Sequence, residues 1–181
     1  STIEEFELQA TDYDENRHFF LAQYFRDNYN IALKDYPLIN SSVNITKVEV
    51  WVTNRNATTV DVRNIVALSD IGEGVSTNIG PANVVPVPGS FLPKNDANDI
   101  STILTINNPV RSIATVGNGL APFSMQQGRD YSVLENAIKL RSDEFTLHPQ
   151  LGYISLNRRL ADSDVLAVSF EYTISGDSNV Y

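Results

Sequence analysis

The stretch that decides the fold class lies near the C-terminus, where bulky apolar residues alternate with small or polar ones. It reads Leu166-Ala167-Val168-Ser169-Phe170-Glu171-Tyr172-Thr173-Ile174. Successive side chains of a β-strand point to opposite faces of the sheet, so Val168, Phe170 and Tyr172 share one face. Such alternation is typical of an antiparallel strand with one buried face.

The same pattern recurs upstream. In residues 44–54 the valines at 48, 50 and 52 share one face and Lys47, Glu49 and Trp51 share the other. Turn residues at 54–57 separate this run from a second one at 58–69, and together they predict a two-stranded unit. Shorter strands are predicted at 100–106 and 111–116, with a turn at Gly117-Asn118-Gly119. Residues 131–141 fit a helix or a strand equally well.

One long amphipathic helix is predicted at about residues 17–34. Its apolar residues recur at three-to-five-residue spacing, namely Phe20, Leu21, Tyr24, Phe25, Tyr29 and Leu33. Asp14 and Asn16 stand where capping side chains are favoured, and Pro37 ends the pattern. We therefore predict a mainly β fold: an antiparallel, jelly-roll-like β-sandwich with one packed amphipathic α-helix near the N-terminus.

We predict a single β-sandwich domain over residues 1–181, cut from a much larger protein. A long loop is expected at about 72–99, a stretch dense in Gly, Pro and Asn. A self-contained hairpin module is expected at about 143–181. Residues 176–181 are typical of a turn that enters a strand, so we expect an unpaired strand edge near Val180 and Tyr181.

Composition excludes several classes of function. The 181 residues contain no cysteine, which rules out disulfides, thiolate metal sites and cysteine nucleophiles. Thirteen basic and 22 acidic side chains give a net charge of −9, which opposes phosphate backbones and anionic membranes. We therefore expect no nucleic-acid partner. No apolar run approaches the length of a membrane-spanning helix.

No arrangement of residues in the sequence predicts catalysis. The two histidines, His18 and His148, are far apart, and no Gly-x-Ser-x-Gly motif occurs. Acidic pairs such as Asp143-Glu144 leave a hydrolase as a minor alternative, since two carboxylates can act as acid and base. We predict that the chain is not an enzyme.

Candidate binding residues are few. Asp96 and Asp99, in an Asn/Asp run at 95–99, are candidate ligands for a structural calcium ion, although such runs also form simple turns. No other metal or cofactor is predicted. Trp51, Arg63 and Tyr153 are candidates for a contact surface. The large apolar area of Trp51 also favours burial, with the helix covering the strand face that it shares with Glu49.

Several long strings resemble the SprA/Sov family of Bacteroidetes. Among them are Ile45-Thr46-Lys47-Val48-Glu49-Val50-Trp51-Val52-Thr53-Asn54 and Pro149-Gln150-Leu151-Gly152-Tyr153-Ile154-Ser155-Leu156-Asn157. Others lie at 19–29, 38–41, 63–68 and 164–173. The similarity covers residues 19–73 and 128–173, and residues 74–127 do not match.

The resemblance implies a role in gliding motility and type IX secretion, whose outer-membrane translocon these very large proteins form. It implies a non-catalytic soluble module in the cell envelope, associated with the outer membrane on an undetermined side. Its partners would be other segments of the parent protein, secretion subunits or cargo. Charges on the second strand faces, such as Glu49, Arg63 and Glu171, argue against direct lipid contact. The alternative is a carbohydrate-binding or adhesive cell-surface module.

Overall fold

The computed structural model describes residues 14–56, 59–69, 74, 85–87 and 92–181. The strands in these ranges are β1 (His18–Phe20), β2 (Val43–Val52), β3 (Val62–Leu68), β4 (Tyr131–Lys139), β5 (Phe145–His148), β6 (Tyr153–Leu156) and β7 (Leu166–Ile174). The α-helices are α1 (Gln23–Ala32), α2 (Ile100–Ile106) and α3 (Val116–Leu120), and 3-10 turns lie at Asn108–Arg111 and Ala121–Phe123. The predicted mainly β fold is confirmed.

The strands form two antiparallel sheets. The small sheet has the order β1-β6-β5 and the large sheet the order β3-β4-β2-β7. A shared core is built from both sheets and from α1, with Val50 of β2, Ile154 of β6 and Phe25 of α1 all buried. The expectation that β2 and β3 form a two-stranded unit is wrong, because β4 lies between them and pairs with both.

The helix predicted at 17–34 is shorter than expected. Its first residues instead form β1, where His18 lies opposite Ser155 and Phe20 opposite Tyr153 of β6. The helix α1 begins only after Ala22, which makes no side-chain capping bond. Asp14 does not cap it but contacts Arg17 and His18. Pairing with a distant strand outweighs the local helical spacing here.

The strands predicted at 100–106 and 111–116 are wrong, since this region is helical. Buried Ile100 and Ile103 lie one helical turn apart in α2. The glycines predicted to form a turn lie inside α3, where Gly119 packs against the preceding 3-10 turn. A Cβ built on Gly119 would approach the Cβ of Pro109 to 3.0 Å, which explains why a glycine fits there.

Two further predictions concern the long loop and the C-terminal segment. Most of residues 72–99 lie outside the described residues, although Pro86 forms a β-bridge with Asn98. The segment 143–181 is not a self-contained module, because β5 and β6 belong to the small sheet and β7 to the large one.

The sequence leaves residues 131–141 open between a helix and a strand. In the structure, Tyr131–Lys139 form the strand β4.

The predicted C-terminal turn is confirmed. The Asp177 N–H donates to the Ile174 carbonyl at 3.0 Å, and Val180 then forms a bridge with Thr173. In the part of the chain that the structure describes, no helix is both long and apolar enough to cross a lipid bilayer.

Candidate contact surface

The outer face of the small sheet carries a cluster of rings and polar side chains. Strand alternation places Ile154 and Leu156 of β6 in the core, so Tyr153 and Ser155 point outward. The cluster consists of His18, Phe20, Tyr29, His148, Tyr153 and Ser155. We call it the histidine–aromatic face.

Three of its rings form a triangle of edge-to-face contacts. The ring centroids of Phe20 and Tyr29 are 5.4 Å apart, those of Phe20 and Tyr153 are 5.9 Å apart, and those of Tyr29 and Tyr153 are 6.1 Å apart. The imidazole of His148 stacks on Tyr153 at 4.1 Å. Phe20 keeps 40% of its surface exposed. The rings are therefore held in place by each other while part of their apolar surface meets solvent.

A polar row crosses the same face. Asp14 Oδ2 lies 3.2 Å from His18 Nε2, His18 Nδ1 lies 2.8 Å from Ser155 Oγ, and Ser155 Oγ lies 3.4 Å from His148 Nε2. A carboxylate, an imidazole and a hydroxyl in series are the groups that activate a serine nucleophile. Here the hydroxyl stands in the middle strand of a three-stranded sheet and is shared by two imidazoles. The row therefore has the ingredients of a nucleophile but a geometry that suits cross-strand hydrogen bonding.

The titration of this face follows from its partial burial. Burial lowers the pKa of His148, and the neighbouring His18 lowers it further. Burial, followed by the effect of Tyr29, raises the pKa of Tyr153. Both rings are consequently neutral at pH 7, which suits an apolar contact.

The predicted contact residues do not lie together. Trp51 is only 9% exposed, so of its two predicted settings the structure shows burial and not an accessible contact surface. Its ring is covered by two cations, with Arg63 Cζ at 5.4 Å and Lys139 Nζ at 5.6 Å from the ring centroid. These residues lie on the large sheet, whereas Tyr153 lies on the small one. Only Tyr153 belongs to the histidine–aromatic face.

The calcium candidates have other neighbours. The carboxylate of Asp99 accepts a hydrogen bond from the Val85 N–H at 2.8 Å, which ties two parts of the predicted loop together. Asp96 is exposed. Among residues 14–56, 59–69, 74, 85–87 and 92–181, no three histidine or acidic side chains converge as a metal site. Calcium binding stays a prediction.

Sequence reasoning misses most of the histidine–aromatic face. The helical spacing assigns His18 and Phe20 to a helix, and nothing in the sequence indicates neighbours for His148 and Ser155. The only available signal is the alternation of Tyr153 and Ser155 with Ile154 and Leu156. Cross-strand register then brings both histidines to one serine.

Comparison with known proteins identifies a family but no curated relative. No curated protein matches the chain. A family model described as motility related/secretion protein matches residues 1–161. The match includes residues 74–127, which the resemblance in the sequence did not cover, and it ends before β7. This chain therefore belongs to the SprA_N family of motility related/secretion proteins.

Proposed function

We propose that this chain is a non-catalytic contact module of the outer-membrane machinery for type IX secretion and gliding motility. It would support export and surface display by binding other segments of its parent protein, secretion subunits or cargo. Family membership supports the setting, and one structural observation carries the contact role. That observation is the partly exposed ring triangle of Phe20, Tyr29 and Tyr153.

The triangle has the properties of an interface anchor. Aromatic residues dominate interface energetics, because they bury a large area at little cost in side-chain entropy. The edge-to-face contacts already fix these rings before any partner binds, which lowers that cost further. A preformed triangle therefore favours a contact surface over a solvated face.

A cavity beside Tyr29 extends this surface. It measures about 240 Å³ and lies between α1, residues 40–42 and residues 150–151. Ile31, at its rim, is 63% exposed. A hollow next to fixed rings can receive a side chain from a partner, as central pockets of interfaces do.

Protein contact fits this face better than sugar stacking. A sugar ring packs against an open aromatic face, but His148 already stacks on one side of Tyr153 at an interplanar angle of 13°. The Trp51 ring is covered by Arg63 and Lys139. The two described aromatic residues that support a carbohydrate-binding role thus offer little free ring surface.

The proposal is tested by replacing Tyr153 in the full-length protein of the native organism. Tyr153→Ser should reduce export and gliding while the protein level and melting temperature of the chain stay near wild type. Ile106→Ser is the matched control, because Ile106 is 74% exposed and lies outside the face. Equal effects of both substitutions, or none from either, would contradict the contact role. Loss from Tyr153→Ser together with glycan binding by the purified chain would favour the carbohydrate alternative.

A further inference from the structure

Beyond Tyr172, the outer edge of β7 is unpaired among the described residues. Tyr172 donates its N–H to the Tyr181 carbonyl at 3.0 Å and accepts from the Tyr181 N–H at 2.9 Å, so its backbone groups point away from β2. Backbone groups alternate in direction along a strand, so those of Val168 and Phe170 point the same way. In the described part of the chain no hydrogen bond reaches these outward groups. An unpaired row of this kind is a template for another strand.

A hollow with an apolar part and a polar rim of Asn16, Asp162 and Asp164 lies beside this edge. It measures about 320 Å³ and is lined by Phe19 of β1, by Leu160, and by Leu166 and Val168 of β7. The side chains of Leu166 and Val168 point toward the shared core. An added strand would therefore place every second side chain over apolar surface. Open backbone groups beside an apolar hollow are the two requirements for strand addition.

The last two residues already occupy the first position on this edge. Val180 and Tyr181 run antiparallel to β7, and the Tyr181 ring stacks on Tyr172 at 5.3 Å. The edge can therefore accept a strand without rearrangement. A strand that continued in the same direction along the edge would lie opposite Phe170, Val168 and Leu166 in turn.

Charge at the far end of the hollow specifies the occupant further. The Asp162 carboxylate is exposed and accepts from the Asn16 amide at 3.0 Å. Among the described residues it has no ion-pair partner. A strand antiparallel to β7 ends near Leu166, so its C-terminal end would lie beside this carboxylate. A lysine or arginine at that end would be favoured.

We propose that the β7 edge beyond Tyr172 binds an extended strand from outside residues 1–181, antiparallel to β7. This strand carries apolar side chains at alternate positions and a basic residue at its C-terminal end. A second copy of the chain is a poorer occupant, because each copy carries a net charge of −9 and its Tyr172 is already paired. The inference goes beyond the proposed contact role, and its test uses the purified chain alone.

The test measures fluorescence polarisation of a labelled peptide, Thr-Val-Thr-Val-Thr-Val-Lys, with the 181-residue chain. The valines would lie over the hollow, and their N–H groups would face β7. N-methylation of the valine nitrogens should weaken binding about tenfold or more, and N-methylation of the threonine nitrogens should change it by less than about threefold. These peptides leave the protein unaltered, so folding cannot confuse the result.

Substitutions at two positions, Val168 and Asp162, locate the site. Val168→Pro removes an outward N–H and should abolish binding, whereas Val168→Ala keeps that N–H and should retain most of it. Asp162→Asn should weaken binding of the lysine peptide and leave a peptide ending in glutamine unchanged.

The inference would be overturned if the valine-methylated and threonine-methylated peptides bound equally well. It would also be overturned if neither the unmethylated peptide nor the threonine-methylated peptide bound. A dimer that Val168→Pro converts to a monomer would overturn it too, since the occupant would then be a second copy. Failure of peptide binding with normal sensitivity of export to Tyr153→Ser would leave the contact role intact. The reverse outcome would remove the role and keep the edge site.

Discussion

The two ends of the inner face of the large sheet are covered in different ways. At the β2–β7 end, the small sheet and α1 cover Val50 and Tyr172. At the β3–β4 end, the cover is the segment that contains α2 and α3, with Leu120 buried against Tyr131. The first cover is a sheet that is held together by the pairing of β1 with the distant strand β6, and the second consists of short helical turns. We therefore expect the sheet-covered end to depend on tight interlocking and the helix-covered end on local side-chain burial.

The largest effect should come from Gly152, where the small sheet interlocks with α1. Gly152 has a φ of +68°, and a Cβ at this position would overlap the ring of Phe25. Gly152→Ala should lower the free energy of unfolding by about 3–5 kcal/mol, since it adds overpacking to backbone strain. Thermal unfolding of the wild type and of Gly152→Ala measures this loss of stability.

Gly128 provides the matched control for that substitution. It has a φ of +85°, but a Cβ added there would meet nothing within 4 Å, so Gly128→Ala should cost only about 1–2 kcal/mol of backbone strain. Equal losses from the two substitutions would show that Phe25 does not interlock with Gly152.

Truncation in the helical cover should have the next largest effect. Leu120 is fully buried, and Leu120→Ala should cost about 2–4 kcal/mol through the cavity that it leaves. Hydrogen exchange should become faster in α2 and α3 while the amides of β2 and β7 keep their protection. The comparison variant is Ile154→Ala at the other end, which should expose β2 and β7 as well. Uniform exchange in both variants would mean that the two covers unfold together.

A smaller effect is expected at Asp130, next to the helical cover. Its carboxylate accepts from Arg129 Nε at 2.8 Å and from the Gln126 N–H at 2.7 Å. Hydrogen bonds from Arg129, and then the one from Gln126, hold the pKa of Asp130 below its ordinary value against the effect of burial. Asp130→Asn should cost about 1–3 kcal/mol at pH 7.

The stabilisation by Asp130 should decrease as the pH falls. Because the folded-state pKa of Asp130 is lowered, its contribution is present above the unfolded pKa of about 3.9 and is lost as the pH falls through the folded value. Urea unfolding should therefore show the gap between wild type and Asp130→Asn narrowing below pH 4. A gap that stays constant down to pH 2 would argue against the ion pair.

The smallest effect should come from His148 on the histidine–aromatic face. Its pKa is lowered by burial and by His18, so the unfolded chain binds this proton more readily than the folded chain does. Stability should fall as the pH drops below about 6.5 and level off below the folded pKa. His148→Asn should flatten this part of the stability curve. An unchanged slope would assign it to other groups.

The sequence predicts the sheet-covered end better than the helix-covered end for a physical reason. In β2 and β7 the alternation of valines, Phe170 and Tyr172 is regular, because one face of each strand is buried along its length. In residues 100–125 isoleucine, valine and proline occur in runs too short to distinguish a helical turn from a strand. The order of the strands in the large sheet cannot be predicted from the sequence either, since nothing local to β2 or β3 indicates that β4 lies between them.

The contact surface is predictable only in part. Tyr153 can be placed on an outward face by alternation, but its neighbours Phe20 and Tyr29 come from elements more than a hundred residues away. The helical spacing around His18 conceals β1, whose existence depends on pairing with β6. The sequence leaves Trp51 open between burial and contact, because Arg63 and Lys139, which cover its ring, come from other strands.

The most direct test of the contact role is photo-crosslinking in the native organism. A photoreactive phenylalanine derivative in place of Tyr29 should yield a discrete crosslinked product with a protein of the motility and secretion machinery or with another segment of the parent protein. The same group in place of Glu135, an exposed residue of β4, should yield none. Products of equal yield from both positions, or none from Tyr29 in cells that secrete normally, would contradict a contact role for the histidine–aromatic face.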